Sequence, residues 1–246
     1  MIVLFTDFGL AGPYTGQMKA VLHQNAPGVP VVDLFADAPM RDPRAAAYLL
    51  AAYATWFPAG TVILAVVDPG VGGERPPVMV EADGIRCVGP GNGLFELVRR
   101  RAKAVTVAEI AWRPPVLSAS FHGRDIFAPV AALLARGETL ELIARDADWQ
   151  RRLDWPDDLI EIVYIDHYGN AMTGLRAASV PADSVLSVRG RPIQSARTFS
   201  SVRPGEAFWY ENSNGLVEIA VNMGRADRVL GLTLGAELRI TKGIAS

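Results

Sequence analysis

Short apolar runs alternate with segments of helical spacing up to about residue 145. Met18, Val21 and Leu22, for example, fall on one face of a helix predicted at residues 14–24. The run after Met40 is rich in Ala and Leu and carries Pro43 where a first helical turn tolerates proline. The predicted strands are residues 2–6, 29–35, 61–67, 78–82 and 85–89, and the other predicted helices are residues 94–101 and 126–135.

This alternation predicts an α/β fold for the first half, with a Rossmann-like, mostly parallel sheet covered by helices on both faces. A polar segment with Trp and Pro, residues 145–158, suits a linker. Beyond it, short strands separated by Gly, Pro and Asn turns predict a smaller antiparallel sandwich or barrel. These strands are residues 160–165, 171–175, 184–188, 207–210, 216–221 and 237–241. We therefore predict two domains, residues 1–150 and residues 151–246.

The amino-acid composition limits the classes of partner and the compartment that we expect for this protein. Half of the 246 residues are hydrophobic, the net charge is −2, and the basic residues are scattered apart from residues 99–101, so we expect no binding to nucleic acid. No run approaches the ~20 apolar residues that span a bilayer, and no basic segment precedes the first apolar run, so we expect neither membrane insertion nor secretion. The single cysteine, Cys87, permits no intramolecular disulfide, which favours a reducing compartment, the cytoplasm.

Polar residues directly after strands are candidates for binding, because ligands of open parallel sheets lie beyond the carboxyl ends of the strands. Asp7 follows the first predicted strand, and its two carboxylate oxygens suit a ribose diol, with a helix cap or turn as an equal alternative. Asp68 follows the third predicted strand. Taken singly, Asp68 is typical of a turn before Pro69, and Arg75 is typical of a surface cation.

Two further loops contain residues that could bind a ligand or take part in catalysis. They are "GPGNGLF" at residues 89–95 and "SFHGRDIFAP" at residues 120–129. Neither contains the Lys-Ser/Thr of a P-loop or a full GxGxxG pattern, so phosphate binding is weakly indicated. An isolated histidine is more often structural, but His122 stands among Gly, Arg and Asp, which favours a functional role. Three histidines and one cysteine offer no spaced ligand set, so we expect no metal.

Six motifs occur in an order that resembles the S-adenosylmethionine (SAM) hydrolase family, also called SAM hydroxide adenosyltransferases. They are "TDFG", "VDPGVGGER", "GPGNGLF", "FHGRDIFAP", "IDHYGNAMT" and "YENSNGLVEIAVN". The resemblance spans nearly the whole chain, and this family is similar in fold to the fluorinase and chlorinase. It implies a homotrimer of chains with an α/β N-terminal domain and a β-barrel-like C-terminal domain. It further implies that SAM binds between neighbouring subunits, needs no cofactor, and is cleaved to adenosine and L-methionine.

The resemblance also assigns residues. It places a catalytic triad on Asp68, Arg75 and His122, and the ribose-binding acid on Asp7. Phe8 is a candidate adenine contact, with core packing as an equal alternative. The C-terminal substrate residues that it implies are Asp166 for the amino-acid end, Asn170 for the adenine side, and Ser213, Val221 and Met223 for the methionine and adenine pocket. "GPGNG" departs from the family's "GPDNG" at Gly91, which leaves no acid at that position.

The implied chemistry agrees with these residue types. The leaving group of SAM is a neutral thioether, so attack on C5′ needs a good nucleophile and no acid. Arg75 would favour a developing hydroxide, Asp68 would orient the guanidinium, and His122 could take or relay a proton. A halogenase is disfavoured, because a halide has no proton to lose. A SAM- or adenosine-binding sensor without turnover stays open as an alternative.

Overall fold

The computed structural model of the chain describes residues 1–181 and 184–242. The chain divides into two compact units, Met1–Asp154 and Trp155–Ser246. The strands of the first unit are β1 (Ile2–Thr6), β2 (Val31–Phe35), β3 (Val62–Val66), β4 (Pro77–Ala82), β5 (Ile85–Pro90), β6 (Val105–Ile110) and β7 (Leu142–Arg145). Its α-helices are α1 (Tyr14–Asn25), α2 (Pro43–Tyr53), α3 (Glu96–Arg101) and α4 (Ala128–Ala135).

The strands of the first unit form one sheet in the order β2-β1-β3-β5-β4-β6-β7. The neighbours from β2 to β5 are parallel, whereas β4, β6 and β7 pair antiparallel. Because β5 lies between β3 and β4, the loop at residues 67–76 must pass over the carboxyl end of β5. The candidate triad residues Asp68 and Arg75 both lie in that loop.

Helices cover both faces of this sheet. Ile2 and Leu4 pack in one buried cluster with Met18 and Leu22 of α1 and with residues of α4. Successive side chains of a strand point to opposite faces, so Phe5 lies on the other side. There Phe5 contacts Phe35 at 5.2 Å between ring centroids, and Phe35 contacts Tyr53 of α2 at 5.0 Å. The predicted α/β class of the first half is confirmed.

Local chemistry explains where several elements begin and turn. The carboxylate of Asp42 caps α2 by accepting a 2.9 Å hydrogen bond from the Ala45 amide, and Pro43 stands in the first turn. Asp83 and Gly84 both have positive φ, 49° and 85°, as a two-residue hairpin between β4 and β5 requires. The buried strand β5 carries Cys87, and burial raises the pKa of its thiol to about 12. This cysteine therefore packs as a small apolar residue.

Three predictions for the first unit need correction. The strand predicted at residues 29–35 as buried begins at Val31, and its middle is exposed because β2 lies at the sheet edge. The strands β6 and β7 were missed, since β6 contains helix-favouring Ala and Glu and β7 is short and mostly exposed. The helix predicted at residues 126–135 becomes α4 only after a π-helical turn, Gly123–Phe127, that starts directly after His122.

The polar segment predicted as a linker is held against α3. The Arg99 guanidinium donates to the carbonyl oxygens of Ala147 and, at 3.0 Å, Trp149. The buried carboxylate of Glu96 accepts from the Arg151 side chain at 2.9 Å and from the Arg152 amide at 3.1 Å. Residues 147–152 are therefore attached to α3, and the two compact units meet in sequence after Asp154, within the segment predicted as a linker.

The second unit is built from short strands. They are β8 (Leu159–Ile165), β9 (Ala171–Arg176), β10 (Ser184–Val188), β11 (Arg191–Ser195), β12 (Ala207–Glu211), β13 (Leu216–Val221) and β14 (Leu238–Lys242), with helix α5 at Ala226–Leu230. The strand order is β14-β10-β11-β12-β13-β9-β8, and every pair is antiparallel except β11 with β12. β11 and α5 were not predicted.

The two edge strands of this second sheet approach each other. The Ile162 amide of β8 donates to the Ala236 carbonyl at 2.9 Å, and the Gly235 amide donates to the Ile162 carbonyl at 2.8 Å. Glu161 and Glu237 form an antiparallel bridge beside these bonds. The sheet therefore closes nearly on itself, which confirms the β-barrel-like second half of the predicted fold.

Candidate active site

The first-unit candidates lie at one edge of the parallel strands. β1 and β3 are neighbours in register, with Thr6 opposite Val66, so Asp7 and Asp68 leave the sheet at the same edge. An open cleft is lined there by Asp7, Phe8, Arg41, Val66, Asp68, Pro69, Val71, Ser120, Phe121, His122 and Gly123. The structure thus brings two strand-end carboxylates and His122 to one cleft.

Asp68, Arg75 and His122 form a continuous hydrogen-bonded array. Arg75 Nε lies 3.0 Å from both carboxylate oxygens of Asp68, and Arg75 Nη2 also donates to Asp68 Oδ2. The same Nη2 lies 2.9 Å from His122 Nδ1. The side chains of Asp68 and Arg75 are only 5% and 10% exposed, and the guanidinium stacks over the Phe127 ring at 5.3 Å. Arg75 therefore joins the other two residues.

Glycine allows the loop at residues 67–76 to take this path. Two reverse turns fold it, from the Val71 amide to the Asp68 carbonyl and from the Gly73 amide to the Gly70 carbonyl. Gly72 has φ +80°, and a Cβ at that position would lie 2.5 Å from the Ala119 carbonyl oxygen. A side chain at Gly72 would displace the backbone that supports the array.

The turn after β5 holds both ends of this loop. The Asn92 carboxamide donates to the Val67 carbonyl at 2.9 Å, and the Gly91 amide donates to the Pro76 carbonyl at 2.8 Å. A Cβ at Gly91 would lie 2.8 Å from the side chain of Val78 and 2.9 Å from the Pro76 oxygen. "GPGNG" therefore supports the loop through its backbone and Asn92, and this chain has no room for an acid at Gly91 without local movement.

The contact with Arg75 fixes the protonation of His122. A guanidinium has only donors, so Nδ1 of His122 must accept and the imidazole carries its proton on Nε2. Burial and the nearby charge of Arg75 lower the pKa of His122 from its ordinary value of 6.5, while Asp68 opposes the shift. The imidazole is neutral at physiological pH, and its basic nitrogen is the one that contacts Arg75.

Asp7 lies in the same cleft with one oxygen already bound. Its Oδ2 accepts a 2.8 Å hydrogen bond from the amide of Arg41, a residue with φ 57°. Burial raises the pKa of the Asp7 carboxyl, and the Arg41 amide opposes that shift. Asp7 lines the cleft, as a diol-binding role requires.

Aromatic rings form one wall of the cleft. Phe8, Tyr14 and Phe121 contact one another, with centroid separations of 5.4–5.8 Å. A Cβ at Gly123 would come within 3.4 Å of the Phe8 ring, so a larger residue would crowd it. Phe8 therefore both packs in this cluster and lines the cleft, which keeps both alternatives for its role.

In the second unit, Asp166 and Asn170 enclose a tight turn between β8 and β9. The Asn170 amide donates to Asp166 Oδ1 at 2.8 Å, and its Nδ2 donates to Asp166 Oδ2 at 3.3 Å. Nearby in β13, the buried carboxylate of Glu218 accepts from the Tyr210 hydroxyl at 2.6 Å and from Asn212 Nδ2 at 2.9 Å. The sequence interpretation missed Glu218, although a charged residue within the otherwise apolar "LVEIAV" was a visible signal.

The remaining candidates of the second unit lie in different environments. Ser213 is exposed in the turn between β12 and β13, where its hydroxyl contacts the Asn214 carboxamide. Val221 is buried in the core of the unit. Met223 is 88% exposed and has φ 57°. Within this unit the structure joins Asp166 with Asn170 through two hydrogen bonds.

Two absences concern residues 1–181 and 184–242, the part of the chain that the structure describes. Every helix in these ranges falls short of the length and apolar character needed to cross a bilayer. In the same part of the chain, no three His, Cys, Asp or Glu side chains cluster as metal ligands would.

Comparison with known proteins gives one consistent result over both units. The model of the SAM hydroxide adenosyltransferase N-terminal domain matches residues 2–144, and that of the C-terminal domain matches residues 160–239. A curated (R)-S-adenosyl-L-methionine hydrolase of Thermus thermophilus is 39% identical and covers 97% of this chain and 98% of its own length. A hydrolase of the same name from Salinispora arenicola is 37% identical, with coverages of 97% and 96%.

Solved structures agree with the curated relatives. An uncharacterised conserved protein of Thermotoga maritima superposes with a TM-score of 0.85 at 31% identity, covering 98% of this chain and 100% of that one. A conserved hypothetical protein of Thermus thermophilus gives 0.77 at 37% identity, with coverages of 98% and 99%. Two matched domain models, near-complete coverage and a shared fold together show that the chain belongs to the SAM hydroxide adenosyltransferase family.

Proposed function

We propose that this chain hydrolyses S-adenosylmethionine to adenosine and L-methionine. The observation that carries the proposal is the array of Asp68, Arg75 and His122 beside Asp7 in one cleft, in a member of this family. The name of these relatives, (R)-S-adenosyl-L-methionine hydrolase, supports the epimer with R configuration at sulfur as the substrate.

In the proposed reaction, a water oxygen forms a bond to C5′ while the bond from C5′ to sulfur breaks. The electron pair of that bond stays on sulfur, and methionine leaves as a neutral thioether. One proton of the attacking water must be lost, and no electrons are exchanged with another reactant. The reaction as written requires neither a redox cofactor nor an acid for the leaving group, and we propose that the protein uses no cofactor and no metal.

Arg75 and His122 have the properties that the loss of this proton requires. Arg75 is a permanent cation in a nearly buried position, where it would stabilise a developing hydroxide more strongly than in water. Asp68 holds the guanidinium in place through both of its oxygens. The neutral imidazole of His122 would take the proton on Nδ1 when its bond to Arg75 opens, and would release a proton to solvent from Nε2.

Other residues would hold the substrate. We propose that Asp7 binds the ribose hydroxyls and that Phe8 contacts the adenosyl group in the cleft. For the second unit we propose Asp166 at the amino-acid end and Asn170 at the adenine, with Ser213, Val221 and Met223 as further contacts. Ser213 and Met223 are exposed, so a ligand can reach both side chains.

The proposal includes an assembly and a place of action. We propose a homotrimer with substrate bound between neighbouring subunits, and light scattering should then give three times the chain mass of 26.4 kDa. A monomer would contradict the assembly without touching the chemistry. The single buried cysteine supports action in a reducing compartment, and we propose the cytoplasm.

The decisive experiment supplies each sulfonium epimer separately in water enriched in ¹⁸O. Adenosine and methionine should form in equal amounts, faster from the R epimer, with one ¹⁸O atom at the 5′ position of adenosine. The same assay in chloride or fluoride should give no 5′-halogenated nucleoside. A halogenated product would support the halogenase alternative, and tight binding without turnover would support a sensor.

A further inference from the structure

The motif "FHGRD" contains two charged residues that the proposed chemistry does not use. Arg124 and Asp125 lie in the π-helical turn that begins directly after His122. Arg124 Nε donates to Asp125 Oδ1 at 2.6 Å, and Arg124 Nη2 donates to Asp125 Oδ2 at 3.1 Å. The bond from Arg124 lowers the pKa of Asp125, although partial burial opposes the shift, so Asp125 is a carboxylate at neutral pH.

Asp125 holds the segment that leads into His122. Residues 111–120 form neither a helix nor a strand, so no ladder of backbone bonds fixes their position. Asp125 Oδ2 accepts a 2.8 Å hydrogen bond from the Ser118 amide, and the Asp125 amide donates to the Phe121 carbonyl at 3.2 Å. The segment is therefore attached at two points to one residue of the turn.

Arg124 connects the same segment to α1. Its Nη1 donates to Gln17 Oε1 at 3.0 Å, and its guanidinium lies over the Phe121 ring at 5.2 Å. Phe121 in turn contacts Phe8 at 5.8 Å between ring centroids, and both rings line the cleft. The pair of Arg124 and Asp125 therefore ties the segment before His122 to the segment after β1.

The position of His122 depends on this support. One contact joins its imidazole to the array, from Arg75 Nη2 to His122 Nδ1 at 2.9 Å. An imidazole held by one contact keeps that geometry only if its own backbone is fixed. A displacement of ~1 Å at a catalytic group costs a reaction rate up to about 10²-fold.

We propose that Asp125 is a positioning residue, which fixes the segment before His122 through the Ser118 amide and thereby keeps His122 Nδ1 on Arg75. The inference rests on the proposed function, in which His122 takes a proton from the attacking water. The acceptor atoms of Asp125, and not its charge, then support the rate.

Three substitutions separate the acceptor from the charge. In Asp125→Asn the carboxamide oxygen still accepts from the Ser118 amide, so kcat for adenosine release should stay within about threefold of the unmodified value. In Asp125→Ala no acceptor remains, and kcat should fall by about ten- to hundred-fold. Asp125→Glu keeps the charge but displaces the carboxylate, so kcat should fall as well. An unchanged kcat in Asp125→Ala, or a lower kcat in Asp125→Asn than in Asp125→Glu, would overturn the inference.

The pKa of His122 gives a readout that a loss of stability alone does not move. Burial, Arg75 and Arg113 lower this pKa, whereas Asp68 and Asp125 raise it. The other charged groups nearby are Arg124, beside Asp125, and Asp7 and Arg41 on the same cleft. Asp125→Asn should therefore lower the pKa of His122. Asp125→Ala loses the same charge, but its imidazole also leaves Arg75, so His122 should titrate at a higher pH in Asp125→Ala than in Asp125→Asn.

NMR titration of the full chain measures this pKa. The chain has three histidines, and the signals of His122 are those missing from His122→Ala. Asp158 provides the matched control, because it also accepts from a backbone amide, that of Arg176 at 2.9 Å, and from the Arg176 guanidinium. Asp158→Ala should lower the melting temperature and leave both kcat and the titration of His122 unchanged.

The outcomes are distinct. If His122 titrates at the same pH in Asp125→Asn and Asp125→Ala, the carboxylate acts through its charge alone and the inference is wrong. If Asp125→Ala does not fold, Asp125→Glu replaces it, and His122 should then titrate at a higher pH than in the unmodified protein; an unchanged titration contradicts the inference. Failure to release adenosine from SAM would overturn the proposed function alone, because the titration of His122 still tests Asp125.

Discussion

Replacing Arg75 by alanine tests whether the array of Asp68, Arg75 and His122 is one physical unit. The Asp68 carboxylate is nearly buried, and both of its oxygens are bound by Arg75. Removing one partner of such a pair leaves an uncompensated buried charge, which costs about 3–5 kcal/mol. For a chain of this size that corresponds to a melting temperature lower by roughly 6–20 °C.

Companion variants separate charge from geometry. In Asp68→Ala with Arg75→Ala, neither charge remains unpaired, so the double variant should lose less stability than the sum of the two single variants. Arg75→Lys keeps the positive charge, but an ammonium cannot reproduce the planar fork that contacts Asp68 and His122 together. It should recover part of the stability and little of the activity.

The catalytic effect of Arg75→Ala should appear in kcat. We expect adenosine formation, followed by chromatography, to slow by about 10²–10⁴-fold with a small change in KM, because Arg75 acts on the developing hydroxide. Calorimetry of the same samples reports the melting temperature. Wild-type kcat in Arg75→Ala, or two single-variant stability losses that simply add in the double variant, would refute the reasoning.

Four further expectations follow from the cleft. Asp7→Ala should weaken adenosine binding by about ten- to hundred-fold in calorimetry, since charge-assisted hydrogen bonds are lost, and unchanged affinity would remove Asp7 from the ribose. Because the pKa of His122 is lowered from 6.5, kcat/KM and the free energy of unfolding should both stay constant above pH 6.5 and fall as the pH drops through the lowered pKa. The free energy of unfolding falls because the unfolded chain binds the proton at a higher pH than the folded chain does. A rate that rises in acid would argue against a neutral imidazole. Gly72→Ala should reduce kcat and melting temperature together, as the new Cβ meets the Ala119 carbonyl, and a silent substitution would show that the loop adapts. Activity should survive EDTA, and loss restored by one divalent ion would contradict a metal-free mechanism.

The hydrophobic pattern predicted strands well where both faces of the strand are buried. Ile2–Thr6 was predicted to the residue, because a strand covered on both faces is apolar throughout. Strands 78–82 and 85–89 were also predicted close to their observed bounds, and Asp83 and Gly84 between them have the positive φ that a two-residue hairpin needs. β2 and β7 have exposed positions, so their sequences carry less of that signal, and β11 of the second unit is mostly exposed as well.

The candidate site was predicted from motif order, and its supporting contacts were not. Asp68 and His122 are far apart in sequence, and only the fold shows that Arg75 bridges them. Asn92 acts through a hydrogen bond to the Val67 carbonyl of a distant segment, which no local pattern encodes. The sequence likewise predicted the linker at residues 145–158, which contains the boundary after Asp154, but not the hydrogen bonds that attach residues 147–152 to α3.

The loop at residues 67–76 bridges β3 and β4, and a single turn holds both of its ends. It spans two strand spacings, ~10 Å, over the end of β5, and the turn after β5 clamps it at Val67 and at Pro76. The entropic cost of bringing the loop ends together is therefore offset by contacts of the sheet, and it does not depend on the sequence of the loop itself. Because both ends of the loop are held by the sheet, the residues between Val67 and Pro76 could be exchanged for residues that activate a different nucleophile. The sheet of the first unit would not have to change.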